Sequence, residues 1–410
     1  MTEQTDCKTP KIRFKSHSET WKTASVSSLL TERNVQAPKS EQYPLMAFIA
    51  GQGVAPKGKR YNREFLVSDE FSKKYKRTEL GDFIYSSNNL ETGSIGTNNY
   101  GSASISPVYS IFSPTLEGDS GFIGHLLCKK AFINEMVKWR QGVVYGQWRI
   151  HESDFLKIKA TFPTVDEQTQ IGEYFRELDR LIELHQRKHD KLVTLKKAML
   201  QKMFPQPGAT TPEIRFKGFS EAWKEKELGE LVNFFKGKGL SKSEIDPSGT
   251  EPCIHYGQLF TEYSEVISNV ISRAKGGNSY FRSIANDVLM PTSDVTPRGL
   301  AKASAINESD VIIGGDILVI RGDKKLLLGS FLSRYIRYME SQVLQMVSGS
   351  TVFHLYSSSM EKFRVKYPSV SEQQKIGSYF RTLDKLISKH ASQLQKLKQI
   401  KSACLEKMFV

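Results

Sequence analysis

The feature that most constrains this chain is that much of its sequence occurs twice. Pro10–Phe14 (Pro-Lys-Ile-Arg-Phe) recurs 202 positions later as Pro212–Phe216 (Pro-Glu-Ile-Arg-Phe), and each copy is soon followed by Ser-Glu-x-Trp-Lys. A longer match, offset by 205 positions, pairs 162–204 with 367–409, and about half of its positions are identical. A repeat of this length predicts two copies of one structural unit.

The regions between these matches diverge almost completely. One fainter echo at the same offset of 205 links Gly81–Asn89 with Asn286–Asp294, each with an aspartate, three apolar or aromatic residues and then polar ones. We therefore expect two globular regions that share one scaffold and present different surfaces. Tandem duplication of a purely structural module would also give two copies, but it would not readily explain why the terminal segments stay alike while the middles differ.

The end of each repeat predicts a long amphipathic helix. Its apolar or semi-polar residues follow a 4-3-4-3 spacing, which is typical of a coiled-coil seam. One helix cannot bury a narrow apolar stripe alone, and the partner of matching length is the other copy, so we predict an intramolecular two-helix coil about 55 Å long. The seam positions are Ile171, Phe175, Leu178, Ile182, His185 and Leu192 in the first copy, and Ile376, Phe380, Leu383, Ile387, His390 and Leu397 in the second.

His185 and His390 fall at equivalent seam positions. A metal site or a pH switch would be the functional interpretation, but no set of carboxylates and histidines that could complete a metal site stands nearby. We therefore interpret the pair as a polar layer that fixes the register of the coil, and we predict no metal site.

Length and charge set the class of protein. At 410 residues the chain fits two domains, and its formal net charge of +14 with 10% aromatic residues predicts folded domains that attract polyanions. The four cysteines stand far apart with no Cys-x-x-Cys pair, which fits a reducing cytoplasm better than a zinc cluster or a disulfide framework. The N-terminus is polar and no apolar stretch could cross a membrane, so we expect a protein that is neither secreted nor membrane-spanning.

The repeated motifs resemble a known family, the specificity subunits of type I restriction-modification systems. The resemblance covers the chain from about residue 10 to residue 409. It depends on Trp223-x-x-x-x-Leu-Gly-Glu-Leu, which opens the second half, and on Pro-x-Val-x-Glu-Gln-x-x-Ile-Gly at Pro163–Gly172 and Pro368–Gly377. The first half departs from the opening motif, because Trp21 is followed by Lys-Thr-Ala-Ser-Val without Leu-Gly-Glu.

Together, the repeat and the resemblance predict an α+β protein with a pseudo-twofold internal repeat. Two globular target recognition domains would be separated by two long helices that form an intramolecular antiparallel coiled coil. The predicted domains are a first recognition domain at 1–163, a first spacer helix at 164–204, a linker at 205–211, a second recognition domain at 212–368 and a second spacer helix at 369–410.

The resemblance also implies a function. Such a subunit binds double-stranded DNA at an asymmetric site of two parts with an unread gap, and it docks two methyltransferase subunits. Restriction and translocase subunits join for cleavage, so the complex directs adenine methylation and the restriction of foreign DNA in host defence. The chain itself would have no catalytic residue and no cofactor, while S-adenosylmethionine, ATP and Mg are expected on the partner subunits.

Basic and amide side chains in both halves are candidate DNA contacts. Basic residues interleaved with aromatic ones suit phosphates and groove edges, while Asn, Gln and Arg can form bidentate contacts to adenine or guanine. A merely solvated basic surface is the alternative interpretation. The candidates are Lys57, Lys59, Arg60, Tyr61, Lys73, Lys74, Lys76, Arg77, Asn88, Asn89, Gln147 and Arg149 in the first half, and Lys236, Lys238, Arg273, Lys275, Arg282, Ser293 and Arg298 in the second.

Sequence signatures of catalysis do not stand out. Gly118-Asp-Ser-Gly121 matches the start of a serine-protease signature, but Phe122 follows it and no matching histidine context exists, so we interpret it as a chance match. No Asn/Asp-Pro-Pro-aromatic loop, Walker lysine motif or His-Glu-x-x-His occurs. Two alternatives stay open: a stand-alone DNA endonuclease with an unrecognised active site, and a scaffold protein that uses its coil only for protein contacts.

Overall fold

The computed structural model describes residues 9–56, 73–143, 147–275 and 280–410. The chain divides into two compact units. The first unit comprises residues 1–186 together with 391–410, and the second comprises 187–390. The units differ from the predicted domains, because each contains the start of one long helix and the end of the other.

Short strands form much of the first unit. Its strands are β1 (Lys22–Ser25), β2 (Leu30–Glu32), β3 (Gln36–Ala37), β4 (Ala47–Ile49), β5 (Gly53–Ala55), β6 (Tyr75–Thr78), β7 (Phe83–Tyr85), β8 (Ile95–Thr97), β9 (Ala103–Ile105), β10 (Ser110–Pro114), β11 (Gln141–Val143), β12 (Gln147–Arg149) and β13 (Lys159–Phe162). Its helices are α1 (Ser120–Leu127), α2 (Lys130–Lys138), α3 (Glu152–Phe155) and the start of α4 (Val165–Met203). One sheet has the order β2-β10-β7-β8, and β3-β6-β9 forms another.

The second unit also mixes strands and helices. Its strands are β14 (Lys224–Glu227), β15 (Val232–Lys236), β16 (Glu251–Ile254), β17 (Val266–Ile267), β18 (Ser272–Ala274), β19 (Phe281–Arg282), β20 (Val288–Pro291), β21 (Ser293–Asp294), β22 (Ser304–Ile306), β23 (Ile312–Ile313), β24 (Ile317–Gly322), β25 (Phe353–His354) and β26 (Arg364–Tyr367). Its helices are α5 (Gln258–Thr261), α6 (Gly329–Tyr338), α7 (Glu340–Leu344), α8 (Ser357–Met360) and the start of α9 (Val370–Lys407). The larger sheet has the order β15-β24-β20-β22-β17. Strands and helices in both units confirm the predicted α+β class.

Repeated segments of sequence occupy equivalent places in the two units. β1 pairs antiparallel with β13 in the first unit, as β14 does with β26 in the second. The fainter echo forms β7 and β20, which pair with β10 and β24. The aspartate before each strand is buried and paired with an arginine, Asp82 with Arg33 at 2.8 Å and Asp287 with Arg321 at 2.7 Å. The predicted internal repeat of one scaffold is therefore confirmed.

The two long helices begin and end at equivalent points of the repeat. Each begins two residues after a proline, Pro163 or Pro368, and each extends for nearly forty residues, 39 in α4 and 38 in α9. α4 ends where Pro205 and Pro207 follow, because proline cannot continue a helix. These bounds lie within three residues of the predicted 164–204 and 369–410.

In the first unit the start of α4 packs against the end of α9. Ile171, Phe175 and Leu178 are buried in one apolar core with Met408 and Phe409. The ring centroids of Phe175 and Phe409 are 5.9 Å apart. Because the start of one helix meets the end of the other, the two helices run antiparallel in this unit.

In the second unit the same packing recurs with the helices exchanged. Ile376, Phe380 and Leu383 share a core with Met203 and Phe204, and the rings of Phe204 and Phe380 are 6.3 Å apart. The predicted antiparallel pairing is thus present in each unit. The first three seam positions of each helix are buried, and the later ones are half-buried, namely Ile182, His185, Leu192, Ile387, His390 and Leu397.

An ion pair between the helices also occurs twice. Lys401 on α9 donates to Asp179 on α4 in the first unit, and Lys196 on α4 lies 2.7 Å from Asp384 on α9 in the second. Each residue of one pair is 205 positions from its counterpart in the other. The repeated sequence therefore encodes polar as well as apolar contacts between the helices.

A bidentate ion pair attaches the Pro-x-Ile-Arg-Phe segment to the first turns of each long helix. Arg13 donates two hydrogen bonds of 2.7 Å to Glu167, and Arg215 donates bonds of 2.7 and 2.8 Å to Glu372. Both glutamates are only 1% exposed, so their charge requires such a partner. Two motifs that stand far apart in sequence therefore meet in the same way in both units.

The glutamine after each of these glutamates fixes the globular part to the helix. Gln168 donates from Nε2 to the carbonyls of Pro163 and Glu117 at 3.0 Å each, and its Oε1 accepts from the backbone N–H of Asp119 at 3.1 Å. Gln373 makes the same three kinds of bond in the second unit. Both glutamines are fully buried. The Glu-Gln motif therefore attaches the globular part of each unit to its long helix.

Candidate nucleic-acid interface

Two segments that sequence analysis treated separately meet at one surface of the first unit. The Oδ1 atom of Asn88 accepts a hydrogen bond of 2.6 Å from the backbone N–H of Trp148 on β12. Asn88, Asn89, Gln147 and Arg149 are all exposed. Four of the candidate DNA contacts therefore stand at exposed positions of two segments that meet, and the guanidinium group of Arg149 also lies 3.5 Å from Glu152.

Trp148 lies at the centre of this surface, and sequence analysis did not select it. Its side chain is 49% exposed, although tryptophan is usually mostly buried. An aromatic residue between Gln147 and Arg149 on a short strand was the available signal. An exposed indole offers base stacking or contact with a thymine methyl group, in addition to the polar contacts of its neighbours.

The second unit brings equivalent positions together. Ser293 and Asp294 on β21 pair with His354 and Phe353 on β25. Ser293, Phe353 and His354 lie 205 positions after Asn88, Trp148 and Arg149, respectively. Equivalent segments therefore meet in both units, through a side-chain hydrogen bond in the first and a strand pair in the second, while the side chains differ. Asn88 contacts the backbone of Trp148 in the first unit, whereas Ser293 pairs with His354 in the second.

Exposed apolar residues surround this second surface. Val295 is 72% exposed and Tyr356 is 55% exposed, and Val352 is 45% exposed. Arg298 nearby is also exposed, with its Nε atom 3.4 Å from Glu340. The sequence predicted Ser293, which is half-buried, and Arg298, but not the apolar residues, because their exposure depends on the short strand pair that holds them.

The prediction for the Lys73–Arg77 cluster is wrong in part. Lys73 and Lys74 are exposed, as expected for phosphate contacts. Lys76 is only 7% exposed, because it lies within β6, and its Nζ atom donates to the carbonyl of Tyr109 at 3.0 Å. Lys76 is thus a structural residue rather than a DNA contact.

Arg77, the next residue on β6, also has an internal partner. It is half-buried, with its guanidinium group 4.3 Å from the centre of the Tyr43 ring. Lys76 and Arg77 both lie on β6, which is the middle strand of the β3-β6-β9 sheet. The candidates Lys57, Lys59, Arg60 and Tyr61 lie outside the described residues.

Basic candidates of the second unit differ in their availability. Lys236, Lys238, Arg273 and Lys275 are exposed, with Lys275 3.5 Å from Asp246. Arg282 is instead half-buried and donates to both Glu251 and Asp310. Its hydrogen bond with Glu251 raises its pKa. We therefore assign Arg282 to the sheet, where it joins β19 to β16, and not to a DNA contact.

The described residues also bear on metals and membranes. Among them, no group of three or more His, Cys, Asp or Glu side chains is placed to hold a metal ion. No helix in the same part of the chain is both long and apolar enough to cross a bilayer.

Comparison with known proteins identifies the family. Residues 20–194 and 220–399 each match the type I restriction modification DNA specificity domain. Because the two matches cover most of the chain, it belongs to this family, with one copy of the domain in each half. The resemblance found in the sequence motifs is therefore confirmed.

Individual relatives agree with this assignment. A protein described as a type I restriction enzyme MjaX specificity subunit, from Methanocaldococcus jannaschii, is 21% identical over 265 residues. That match spans 62% of this chain and 60% of the relative, which is less than two thirds of the relative's length. The crystal structure of a type I restriction-modification S subunit from M. genitalium has a TM-score of 0.62 at 17% identity and covers 98% of this chain and 99% of that one. The two proteins therefore share a fold.

Proposed function

We propose that this chain is the non-catalytic specificity subunit of a type I restriction-modification complex. Each unit recognises one part of an asymmetric, bipartite site in double-stranded DNA. Two methyltransferase subunits dock on the chain, which directs their adenine methylation to that site, and restriction and translocase subunits join the complex to cleave unmodified foreign DNA. S-adenosylmethionine, ATP and Mg belong to those partners.

The observation that carries this proposal is the contrast between a repeated scaffold and two different exposed surfaces. Asn88 accepts from the backbone of Trp148 in the first unit, and Ser293, the counterpart of Asn88, pairs in the second unit with His354, the counterpart of Arg149. Because each base pair presents its own pattern of donors and acceptors in the major groove, different side chains on one backbone frame favour different bases. A protein with two such surfaces suits a site with two dissimilar parts.

The surrounding charge supports DNA as the ligand. The chain carries a formal net charge of +14, and exposed lysines such as Lys73 and Lys236 lie in the same units as the candidate surfaces. Lysines near DNA release counterions from phosphates, which provides affinity without sequence preference. Base contacts by the exposed amides and aromatic rings would then provide selectivity.

The long helices support recognition of half-sites at a fixed spacing. At 39 and 38 residues, α4 and α9 are each about 57 Å long at a rise of 1.5 Å per residue. A stiff spacer of this kind fixes the number of unread base pairs, as the geometry of a dimer fixes operator spacing. Insertion of one heptad into the middle of both helices should therefore lengthen the gap and leave both half-sites unchanged.

Methylome sequencing of cells that express this chain with its methyltransferase subunit tests the proposal. We expect adenine methylation at one bipartite motif, and the motif should disappear when this chain is omitted. Purified chain should protect two separated DNA segments, with an affinity that falls steeply as salt rises. Metal-dependent nicking by the purified chain alone would instead identify an endonuclease, and DNA binding without salt dependence or a split footprint would favour a scaffold protein.

A further inference from the structure

Some exposed residues are identical in the two repeats although packing does not require them. Between the repeats, the sequences of the globular regions have diverged almost completely, so identity has been lost where no constraint acts. Buried identical residues such as Trp21 and Trp223 are explained by the core. Five exposed pairs are not explained in this way, namely Ile12 and Ile214, Lys15 and Lys217, Ser18 and Ser220, Glu19 and Glu221, and Lys22 and Lys224.

The same backbone frame presents these residues in each unit. The N–H of Ile12 donates to the carbonyl of Lys407 at 2.9 Å, and the N–H of Ile214 donates to that of Lys202 at 2.8 Å. Two residues further along, an aromatic ring packs edge to face on the long helix. The centroid distance is 6.1 Å for Phe14 and Tyr174 and 6.2 Å for Phe216 and Tyr379. The Arg–Glu ion pair between these contacts completes the shared frame.

A cleft opens beside the frame in both units. Its volume is about 600 Å³ in the first unit and about 450 Å³ in the second. The serine, glutamate and lysine of Ser-Glu-x-Trp-Lys line both clefts, as Ser18, Glu19 and Lys22 in one and as Ser220, Glu221 and Lys224 in the other. We call each set of five exposed residues with its cleft a twin face.

We propose that the twin faces are docking surfaces for two copies of one protein partner, the methyltransferase subunit. This inference rests on the proposed function, which requires two identical subunits on one chain. A surface that contacts the same partner in both halves must stay alike in both, whereas surfaces that contact different DNA sequences must differ. The twin faces are alike in the two halves, whereas the candidate DNA surfaces differ between them.

The chemistry of a twin face favours protein over DNA. Ile12 is 43% exposed and Ile214 is 36% exposed, and an isoleucine of this kind gains more from an apolar pocket than from a phosphate backbone. Glu19 and Glu221 would also repel phosphates. With two lysines, a glutamate and an isoleucine, each face fits a partner surface that has an apolar pocket with acidic residues around it.

The test is the number of methyltransferase subunits bound to the full-length chain, measured by native mass spectrometry. Ile12→Ser with Lys15→Glu alters the first face, and Ile214→Ser with Lys217→Glu alters the second. We expect two subunits on the unaltered chain, one on each single-face variant and none on the combined variant, with affinity at an altered face reduced at least tenfold. If the isoleucine changes unfold the chain, the two lysine changes alone should give the same order of effects.

Lys11→Glu is the matched control, because the equivalent residue of the second repeat is Glu213. This exposed charge reversal next to the first face should leave two subunits bound. Two subunits on the combined variant would overturn the inference, as would a loss of DNA affinity with both subunits retained, which would assign the faces to DNA. Failure of the unaltered chain to bind any methyltransferase subunit would overturn the proposed function itself.

Discussion

His125 lies on Phe175 in the first unit in the place that Arg334 takes on Phe380 in the second. The rings of His125 and Phe175 are 4.6 Å apart, and the guanidinium group of Arg334 is 5.8 Å from the centre of the Phe380 ring. Arg334 is 1% exposed and donates to Asp384 at 2.6 Å. One unit therefore buries a permanent cation at the contact between globular part and helix, while the other buries an imidazole.

His125 should make the first unit sensitive to acid. Burial, reinforced by Lys401, lowers the pKa of His125 from 6.5 to about 4. Between these values the unfolded chain binds a proton that the folded chain does not, so stability falls as pH falls through this window. His125→Phe should remove up to about 3 kcal/mol of this loss by pH 4. Denaturant unfolding at a series of pH values measures the free energy of unfolding. His151→Phe, at an exposed position, is the control. The prediction would be contradicted if the free energy of unfolding of His125→Phe fell with pH as steeply as that of the unaltered chain.

Substituting Asp384 should lower the free energy of unfolding more than substituting Arg334, its partner. Asp384→Ala leaves the buried guanidinium without its carboxylate, which should cost about 3–5 kcal/mol. Arg334→Met leaves Asp384 half-buried and still paired with Lys196 at 2.7 Å, so we expect a loss of about 1–2 kcal/mol. Urea unfolding of both variants measures the difference, and equal losses would show that the guanidinium is not dependent on Asp384.

Gly172 and Gly377 stand at equivalent helix positions but should respond differently to alanine. A Cβ atom on Gly172 would lie 2.3 Å from Oδ1 of Asp119, which caps α1 by accepting from the N–H of Phe122. A Cβ atom on Gly377 would meet only Oγ of Ser330, at 3.3 Å. Gly172→Ala should therefore cost about 1–3 kcal/mol, whereas Gly377→Ala should be neutral or gain up to about 1 kcal/mol from helix propensity. Thermal unfolding distinguishes the pair, and equal shifts would refute the predicted clash.

Arg149 and Arg298 provide a test of separate recognition by the two units. Arg149→Ala should weaken discrimination at one half-site by about 1–3 kcal/mol and leave the other half-site unaffected, and Arg298→Ala should do the reverse. Methylation rates on DNA with single-base changes in each half-site provide the measurement. If either variant relaxed both half-sites together, recognition would not be divided between the units as proposed.

Local sequence patterns predicted the long helices well and the candidate interface poorly. The bounds of α4 and α9 follow from proline positions and the apolar spacing, both of which are local signals. The burial of Lys76 follows from strand pairing on both sides of β6, which composition does not reveal. The equivalence of His125 and Arg334 was also hidden, because their separation of 209 positions differs from the offset of 205 that relates the helices.

The hydrogen bonds of Ile12 and Ile214 give the chain a circular character. In each unit, the hydrogen bond attaches the start of one repeat to the last turn of a long helix. In the second unit this helix, α4, continues directly into the repeat through 203–211, whereas in the first unit Lys407 and Ile12 are far apart in sequence and meet only in space. A permuted polypeptide that starts at Gly208, with a short flexible linker from Val410 to Thr9, should therefore retain its contacts and its methylation motif. The order in which the two repeats are synthesised then has no bearing on the site that the folded protein selects.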